Sequence, residues 1–556
     1  MEKDKNYFYP DYDDVDFSSD ISNRLEFNID IPKKTGCTES GFELSSYQIF
    51  LENFISKDTP YRGLLVFHGT GTGKTCTAVT IAERYKDYYH DKNRRIIVLA
   101  SSIIEQGWRN NIYNPQRDSN QCTGSEYVNR IDRNSKKLTL KRNQLINRYY
   151  DFNTYGAFKN DLKKVFTRYD RFEKSVARKR KIRYIRENYS NRLLIIDEVH
   201  NLREASKKDP ESLRYIRLVL KYSKNLKLIL LSATPMFNVN SEIVDILNLL
   251  LINDDREMID INDSTIYTDE KFTAKGKQLL RDKMRGYVSY IRGETPDKFP
   301  IRLYPDKKYL INQYPKYDIY GKPVVFNRNI LKLFKCEFTG QQLSSYSEES
   351  KKITDLDSEN TRSKILRQIS NISYPKVESN YGSSGLKQIF TIDKYKYRYK
   401  PEYKNYFNID NLQNVSIKIY NLLQTIKNTI GIVFIYSQYL SSGVIPVALA
   451  LEEMGFTRHP EDGEPLLDSA KSKDLGNYIL LTGDDKLSPH NKKSIELVNR
   501  RDNPNGEKIK IIIGNAVISE GVDFKRIREV HIIEPWYHLN KMEQIIGRAI
   551  RYCSHS

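Results

Sequence analysis

A glycine-rich segment that ends in lysine and threonine follows a short apolar run. The run Leu64–Phe67 leads into His68-Gly69-Thr70-Gly71-Thr72-Gly73-Lys74-Thr75, and a helix-compatible stretch follows, Cys76–Tyr85. Glycines let backbone N–H groups approach phosphate oxygens, and the helix N-terminus adds positive potential. The lysine places a compact charge on the β and γ phosphates, and the threonine offers a hydroxyl to Mg²⁺. The sequence predicts a phosphate-binding loop in which His68 replaces the first glycine of the general pattern.

Two acidic residues follow another apolar run. Asp197-Glu198-Val199-His200 comes directly after Leu193–Ile196, and ligands of a parallel sheet bind at the carboxyl ends of its strands. Asp197 can hold Mg²⁺ there while Glu198 orients and deprotonates the attacking water, the two tasks that phosphoryl transfer to water requires. Alone, such a pair would more often cap a helix. Its position after a phosphate loop favours ATP hydrolysis with Mg²⁺ as cofactor.

Two further segments contain residue types that could complete such a site. Ser232-Ala233-Thr234-Pro235 follows the run Leu226–Leu231, and its small hydroxyl side chains can bridge an ATP site to its neighbours. Near the end of the chain, a helical interpretation puts one set of residues on a single face: Gln544, Gly547, Arg548 and Arg551. Guanidinium groups suit a γ-phosphate, and an arginine finger stabilises the charge of the transition state.

Short runs of Leu, Ile and Val predict the strands that must position these residues. In the first half of the chain they are Leu64–Phe67, Ile96–Ala100, Leu193–Ile196 and Leu226–Leu231. In the second half they are Ile432–Ile435, Tyr478–Leu481, Ile509–Ile513 and Val530–Ile533. Continuous apolar runs are typical of parallel strands that are buried on both faces. The predicted fold class is therefore α/β, with two parallel sheets.

The charge balance points to a polyanionic partner. The 556 residues include 90 Lys and Arg against 71 Asp and Glu, which gives a formal net charge of +19. Clustered cations can replace the counterions condensed on phosphates, so nucleic acid is the first candidate partner and an anionic membrane the second. A solvated surface in a lysine-rich proteome explains the same charge, so charge alone does not decide.

Cysteine usage and hydropathy bear on the compartment. The cysteines are scattered without a close pair: Cys37, Cys76, Cys122, Cys336 and Cys553. This pattern predicts neither a zinc site nor a disulfide framework, and no disulfide-linked partner. The N-terminus has no apolar core and no run of about 18 apolar residues occurs, so neither a signal peptide nor a membrane span is predicted. We expect an intracellular, reducing location and no membrane partner.

The phosphate loop, the Asp-Glu-Val-His sequence, Ser-Ala-Thr and Gln-x-x-Gly-Arg-x-x-Arg, in this order, resemble the motifs of superfamily 2 helicases. Tyr47-Gln48 is placed like their adenine-contacting glutamine, and Glu520-Gly521-Val522-Asp523 like their motif V. Further segments, among them Glu534-Pro535-Trp536-Tyr537, look like the DExH-box NTPases of large cytoplasmic DNA viruses, which include poxvirus nucleoside triphosphatase I and the early transcription factor small subunit. The resemblance covers Ser45–Met236 and Val415–His555 well and the middle poorly.

The resemblance implies a P-loop NTPase of two RecA-like lobes that binds ATP and Mg²⁺. Lys74 and Thr75 would bind phosphate and Mg²⁺, with the loop Gly69–Gly73 around the nucleotide. Gln48 would read adenine, and Asp197 would hold Mg²⁺.

The remaining matches imply catalysis and coupling. Glu198 would act on the water. The residues on the γ-phosphate side would be Gln544, Arg548 and Arg551. Those that couple the ATP state to the grip on nucleic acid would be His200, Ser232 and Thr234, with Asp523 near the ribose or in the same network.

Domain boundaries follow from the motifs and from composition. We predict an N-terminal extension (1–44), the ATP-binding RecA-like lobe (45–252), a polar linker or accessory region inserted between the lobes (253–411) and the C-terminal RecA-like lobe (412–556). Ser556 follows the last motif almost at once, so the second lobe is expected to be truncated.

Candidate contacts with nucleic acid lie after the predicted strands or in basic segments. The first group is Ser101, Trp108, Arg109 and Tyr155, although core packing explains Trp108 equally well. The alternating segment Lys394–Lys400 could stack bases on its tyrosines, but an exposed strand with tyrosines packed inward is favoured. The basic stretch Arg168–Arg186 is either a solvated helix face or a nucleic-acid surface.

The resemblance favours an ATP-dependent helicase or translocase on DNA or RNA that acts in viral transcription. Viral RNA polymerase or transcription factors would then be further partners, in the host cytoplasm or the virion. Two alternatives stay open. One is an ATP-regulated transcription-factor subunit that acts as a switch on RNA polymerase, and the other is the motor subunit of a restriction-type nuclease.

Overall fold

A computed structural model of the chain shows two compact units, Met1–Lys298 and Phe299–His555. The structure describes residues 9–28, 44–90, 94–115, 121–131, 137–202, 210–236, 240–269, 271–291, 299–314, 316–317, 323, 332–352, 359–376, 379–515, 522, 524–535, 539–551 and 554–555. Each unit is built around its own parallel sheet.

The strands of the first unit are β1 (Gly63–His68), β2 (Ile96–Leu99), β3 (Tyr150–Asn153), β4 (Leu193–Asp197), β5 (Lys227–Ser232), β6 (Tyr267–Thr268), β7 (Lys271–Phe272) and β8 (Val288–Ile291). Six of them form one sheet in the order β3-β2-β4-β5-β1-β8, with every neighbouring pair parallel. Strands β6 and β7 form a separate antiparallel pair. The carboxyl ends of β1, β4 and β5 therefore lie at one edge of the sheet.

The helices of the first unit are α1 (Phe17–Ser22), α2 (Ser46–Phe54), α3 (Lys74–His90), α4 (Ser102–Ile112), α5 (Leu138–Tyr149), α6 (Tyr155–Tyr169), α7 (Lys174–Tyr189), α8 (Pro210–Tyr222), α9 (Glu242–Asn253) and α10 (Ala274–Met284). They pack around a central sheet, which explains why every residue of β2 and β4 is buried. The four apolar runs predicted in this half are confirmed as parallel strands.

Segments outside the predicted lobe boundaries pack into the first unit. Strand β8 pairs with β1, and the ring of Tyr12 stacks on Tyr287 with 4.2 Å between the ring centroids. Gly286 has a φ of +74°, and a Cβ atom there would lie 2.5 Å from the Tyr12 ring. The division of the chain at Lys298 thus does not coincide with the boundaries that we predicted at 44 and 252.

The strands of the second unit are β9 (Phe390–Asp393), β10 (Lys396–Tyr399), β11 (Ile432–Tyr436), β12 (Thr457–Arg458), β13 (Asn477–Leu481), β14 (Ile511–Gly514) and β15 (Ile527–Ile532). Five form a parallel sheet in the order β12-β13-β14-β11-β15. The four predicted strands of this half are confirmed, with shifts of up to three residues at their ends. Strands β9 and β10 form a two-stranded antiparallel hairpin.

The helices of the second unit are α11 (Gly340–Ser350), α12 (Glu359–Asn371), α13 (Gly382–Ile389), α14 (Ile409–Val415), α15 (Ile417–Asn428), α16 (Ile445–Met454), α17 (Asn491–Val498) and α18 (Leu539–Ile546). In the part of the chain that the structure describes, no helix has the length and apolarity needed to cross a membrane.

Much of the predicted accessory region belongs to the core of the second unit. Tyr374 and Phe390 are buried in one cluster with Val433 of β11, whereas Phe434, the next residue of β11, faces a second cluster across the sheet. The alternating segment Lys394–Lys400 contains β10, and Tyr397 is buried there with its neighbouring tyrosines packed partly inward. The favoured strand interpretation of that segment is confirmed.

Candidate nucleotide site

The glycine-rich segment forms a tight loop between β1 and α3. Gly71 and Gly73 have φ values of +80° and +87°, a region that glycine adopts without steric cost. The Thr72 hydroxyl donates to the Gly69 carbonyl at 2.7 Å, which closes the loop on itself. Helix α3 begins at Lys74, so its N-terminal N–H groups and positive potential face the loop. Thr70 and Thr75 complete this segment.

Lys74 lies within the loop that it ends. Its ammonium donates to the carbonyls of His68 at 3.0 Å and Gly69 at 3.2 Å. Carbonyl oxygens hold a cation here, which shows that the loop places the ammonium on its inner side. The arrangement can bind phosphate oxygens through one point charge and several backbone N–H groups.

The His68 side chain packs beneath the phosphate loop, in contact with β8 and Tyr47. The ring is fully buried, its Nε2 atom lies 2.8 Å from the Ser289 hydroxyl of β8, and it stands edge-on to Tyr47. Burial, with the charge of Lys74 as the second cause, lowers the pKa of His68 to about 3. The imidazole is therefore neutral at physiological pH. Tyr47 in turn donates its hydroxyl to the Thr72 carbonyl at 2.6 Å, a role that its position in the sequence did not indicate.

Gln48 lies directly behind the loop. Its carbonyl oxygen accepts from the Ser45 N–H at 3.0 Å and the Ser45 hydroxyl at 2.9 Å, and its amide nitrogen donates to Thr77 at 3.4 Å. The side chain is buried, and a Cβ atom on Gly73 would lie 3.2 Å from its amide nitrogen. Gln48 thus caps α2 and lies next to the loop, and adenine contact stays a prediction.

Asp197 is held at the carboxyl end of β4 by two donors. Its Oδ1 atom accepts from the Glu198 N–H at 2.9 Å, and its Oδ2 atom accepts from the indole N–H of Trp108 at 2.8 Å. Burial, together with the negative charge of Glu198, raises the pKa of Asp197 above its ordinary value, although Trp108 and Lys74 act in the opposite direction. The carboxylate has a fixed orientation at the sheet edge where the phosphate loop ends.

Glu198 has an unusual backbone conformation, and its carboxylate lies beside His200. Its φ of 50° and ψ of 50° are left-handed, a conformation that costs a non-glycine residue about 1–3 kcal/mol and clusters at functional sites. Its Oε2 atom is buried without a hydrogen-bond partner in the described structure and lies 3.3 Å from Nδ1 of His200. A carboxylate oxygen with no strong donor can accept a proton from water.

A chain of buried polar groups joins this acid to the end of β5. Nδ1 of His200 lies 3.0 Å from the hydroxyl of Ser232, and that hydroxyl accepts from the Thr234 N–H at 3.0 Å. All three residues are buried. The structure therefore brings together the three residues of this unit that we predicted to couple ATP state to grip, although the coupling itself stays a prediction.

The last predicted segment lies in the second unit. Helix α18 ends at Ile546, and the chain continues in turns with Arg548 donating its N–H to the Ile545 carbonyl at 3.1 Å. The prediction of one helical face from Gln544 to Arg551 is therefore wrong, because Gly547 disfavours helix and the hydrogen bonds tighten beyond it. Gln544 lies on the helix, whereas Arg548 and Arg551 follow it.

Two other residues of that prediction can be placed. The Arg548 guanidinium is buried and donates to the Val522 carbonyl at 3.5 Å, and Arg551 is half-buried. Asp523 lies outside the described residues.

Comparison with known proteins is consistent with this site. The family model for the res subunit of type III restriction enzymes matches residues 41–237, and that for the helicase conserved C-terminal domain matches residues 469–553. A "Putative ATP-dependent RNA helicase" of Acanthamoeba polyphaga mimivirus is 30% identical over 98% of this chain and 86% of its own length. The chain belongs to the superfamily 2 helicase-like NTPases of large DNA viruses.

Other relatives extend the same family. Nucleoside triphosphatase I of Choristoneura fumiferana entomopoxvirus is 24% identical over 96% of this chain and 74% of its own length. A second helicase-named protein of the mimivirus is 29% identical over 99% of this chain, which spans 55% of that relative. Among solved structures, the chain is similar to the Pyrococcus furiosus Hef helicase domain, with 14% identity, coverage of 90% of this chain and 92% of that one, and a TM-score of 0.34.

The first unit of this helicase-like NTPase has a donor set that fits Mg²⁺. In the residues that the structure describes, no group of three or more His, Cys, Asp or Glu side chains could hold a metal. Mg²⁺ does not need one, because it is commonly bound by one or two protein oxygens together with phosphates and water. The oriented carboxylate of Asp197 and the hydroxyl of Thr75 are the residues that would hold it.

The candidate nucleic-acid contacts are largely engaged within the NTPase itself. Trp108 is fully buried, so its ring offers no face for a base, and the structure removes it from the candidate surface. Arg109 donates to Glu105 at 2.7 Å and to Asn147 at 2.9 Å, and lies over the ring of Phe152. For Arg109, contact with nucleic acid stays a prediction.

Two further candidates hold the local structure. The Ser101 hydroxyl accepts from the Ile104 N–H and caps α4. The Tyr155 hydroxyl donates to the carbonyl of Asp197 and also lies 3.3 Å from that of Glu198. Tyr155 thus positions the backbone of the acidic pair, which the sequence could not indicate because the contact joins residues far apart in the chain.

Trp108→Phe is expected to lower the stability and the ATP turnover of the first unit without changing the affinity for nucleic acid. A hydrogen bond to a charged group contributes about 1.5–3 kcal/mol, so loss of the indole donor should lower the free energy of unfolding by about that amount and reduce turnover of ATP. Urea denaturation measures the stability, steady-state hydrolysis the turnover, and polymer binding the affinity for nucleic acid. A large loss of polymer affinity with unchanged stability would contradict the placement of Trp108.

The structure corrects the expectation that the chain has no disulfide. Cys76 in the first turn of α3 and Cys122 are joined, with their Cα atoms 5.5 Å apart and a separation of 46 positions in the sequence. The sequence spacing does not predict this disulfide, because the two cysteines are far apart along the chain and only the fold brings them together. Among the described residues, Cys336 is the free cysteine.

Cys122→Ser is expected to destabilise the first unit. A disulfide that closes a loop of this length contributes about 2–4 kcal/mol. The free energy of unfolding should therefore fall by that amount, and the midpoint of urea unfolding should move to a lower concentration. Trp108 fluorescence in a Trp536→Phe background reports on this unit, because the chain has only 2 tryptophans. Cys336→Ser is the matched control. The expectation fails if neither Cys122→Ser nor a reductant shifts the curve.

Proposed function

We propose that this NTPase couples ATP hydrolysis to movement along DNA or RNA. The observation that carries the proposal is the buried path from Glu198 through His200 and Ser232 to Thr234. Hydrolysis alone needs a phosphate loop and an acidic pair. A further buried connection from the catalytic acid to the next strand end supports a device that transmits the state of the nucleotide.

In the proposed reaction, ATP is bound by the loop Gly69–Gly73 and by the Lys74 ammonium. Asp197 and Thr75 would hold Mg²⁺, which would supply positive charge against the phosphates. Glu198 orients the attacking water and accepts its proton, since its Oε2 atom has no hydrogen-bond partner in the described part of the chain.

We further propose that Gln544, Arg548 and Arg551 act on the γ-phosphate side. Arginine stabilises the charge that develops on the transferred phosphoryl group. The proposal for these residues rests on the order of the motifs along the chain, and for Asp523 it rests on the same resemblance. Gln48 is proposed to contact adenine.

The track and the process are part of the proposal. The net charge of +19 supports a polyanionic track, and helicase names among the relatives support nucleic acid as that track. We propose viral transcription as the process, with RNA polymerase or transcription factors as partners. An ATP-regulated switch on the polymerase is the alternative within the same process.

Steady-state ATP hydrolysis tests the proposal. The rate is measured without polymer and with single-stranded DNA, double-stranded DNA or RNA. We expect one polymer to stimulate the rate, and we expect Glu198→Gln to abolish the stimulated rate. Equal rates in all four conditions would contradict a motor that works on nucleic acid.

A second candidate function is the motor part of a restriction-type nuclease. The match of residues 41–237 to the res subunit of type III restriction enzymes favours it. The same reactions separate the two candidates if the DNA is examined by gel electrophoresis afterwards. Intact DNA after many turnovers supports the translocase, whereas ATP-dependent cleavage supports the nuclease motor.

A further inference from the structure

The helices α6 and α7 carry a large share of the positive charge of the chain. Between Lys159 and Glu187 there are 12 Lys and Arg residues and 4 Asp and Glu residues, a net charge of +8 out of +19. The two helices pack as an antiparallel pair, since Phe158 contacts Tyr189 and Asp170 pairs with Lys181. This concentration of charge lies on one continuous structural element.

Most of the apolar side of this helical pair is used in packing. Ala177, Ile185 and Tyr189 of α7 are buried, and Phe166 of α6 packs on Tyr215 of α8 with 5.7 Å between the ring centroids. An amphipathic helix that binds a membrane must insert its apolar face. Since that face is in the core of the unit, a membrane surface is a poor partner for α7.

The opposite side of α7 is a basic stripe. Lys179, Arg183 and Arg186 are exposed and line a shallow groove with Ile182 and Glu187. Their spacing of four and three residues puts them on one face over about 10 Å of helix. Arg183 pairs with Glu187 at 2.7 Å. The stripe still has an excess of positive charge, because Lys179 and Arg186 are two further cations.

The stripe is separate from the nucleotide site. Helix α7 ends three residues before β4 begins, at the amino end of that strand, whereas Asp197 and Glu198 lie at its carboxyl end. Charge on α7 can therefore be removed without altering the groups proposed to act on ATP.

We propose that the exposed basic stripe of α7 binds the sugar-phosphate backbone of nucleic acid as a contact additional to the track of the motor. Two of its three cations are arginines, whose planar forks match phosphate oxygens with two parallel hydrogen bonds. Release of counterions from the polymer supplies the driving force. This proposal rests on the proposed function only in that nucleic acid is the expected partner of the protein.

The test compares two triple variants of the full chain. In the first, Lys179→Gln, Arg183→Gln and Arg186→Gln remove the stripe. In the control, Lys271→Gln, Lys277→Gln and Arg281→Gln remove the same charge from exposed positions elsewhere in the first unit. Binding of single-stranded DNA, double-stranded DNA and RNA is measured at several salt concentrations, together with ATP hydrolysis without polymer.

The stripe variant is expected to bind at least one polymer about tenfold more weakly than the wild type, with the slope of log Kd against log salt reduced by about 2–3. The control should keep the wild-type affinity, and both variants should keep the polymer-free rate of hydrolysis. Unchanged affinity and slope for every polymer would overturn the inference and leave the stripe as a solvated helix face.

Failure of the inference can be distinguished from failure of the proposed function. If polymers stimulate hydrolysis by the wild type but the stripe variant binds normally, only the stripe proposal fails. If the stripe variant loses binding while no polymer stimulates the wild type, the stripe binds nucleic acid and the motor proposal fails.

Discussion

Glu198→Gln is expected to lower the turnover number for ATP hydrolysis by about 10²–10⁴-fold, the usual contribution of a general base. The amide keeps the size of the side chain and tolerates the same backbone conformation, but it cannot accept a proton. Because Lys74 and the phosphate loop are untouched, ATP should still bind. Rapid-quench or steady-state hydrolysis measures the loss, and a fluorescent ATP analogue measures binding.

Glu257→Gln is the matched control, since Glu257 is an exposed acid of the same unit to which we assign no role. It should hydrolyse ATP at the wild-type rate. Turnover by Glu198→Gln within about tenfold of the wild type would show that another group takes the proton.

Arg551→Ala is expected to have an effect at least as large. An arginine finger contributes about 10³–10⁵-fold to the rate of phosphoryl transfer, and it acts mainly in the transition state. The turnover number should therefore fall by that factor while the affinity for ATP changes little. Single-turnover hydrolysis at saturating ATP separates the chemical step from binding.

Arg528→Ala serves as the control for Arg551, because Arg528 is an exposed arginine of the second unit with no proposed role. Loss of activity in Arg528→Ala would indicate a general effect of charge. Full activity in Arg551→Ala would remove the arginine from the proposed reaction and leave Arg548, which is buried against the Val522 carbonyl, as the remaining candidate.

The strands that hold the site could be predicted because they are buried on both faces. The runs that form β1, β4 and β5 consist mainly of Leu, Ile and Val, with Phe67 and Lys227 as the exceptions, and this pattern is distinctive. Strands β3 and β8 were missed. They lie at the two edges of the first sheet, are only partly buried and contain polar residues, as in Tyr150–Asn153.

The contacts that position the acidic pair could not be predicted. Trp108 meets Asp197 across 89 residues of chain, and Tyr155 meets the same residue across 42. No periodic pattern in the sequence indicates a contact between residues at either of these separations. Trp108 follows a predicted strand, which makes it a candidate for the nucleic-acid surface with core packing as the equal alternative, and the fold turns its ring toward the core.

The coupling residues show the opposite case. His200 and Ser232 each follow a predicted strand, and the carboxyl ends of neighbouring parallel strands meet at one edge. Strands β4 and β5 are neighbours, so the two side chains lie 3.0 Å apart. The order of the motifs was thus sufficient to predict that the two residues lie close together, because each follows one of two adjacent strands.

Displacement of a third strand from a DNA triplex, or of streptavidin from a biotinylated strand, tests most directly whether hydrolysis drives movement. We expect the wild type to displace the obstacle only with ATP and Glu198→Gln not to displace it. Polymer-stimulated hydrolysis without displacement of an obstacle on any DNA or RNA track would contradict the motor and favour an ATP-regulated switch.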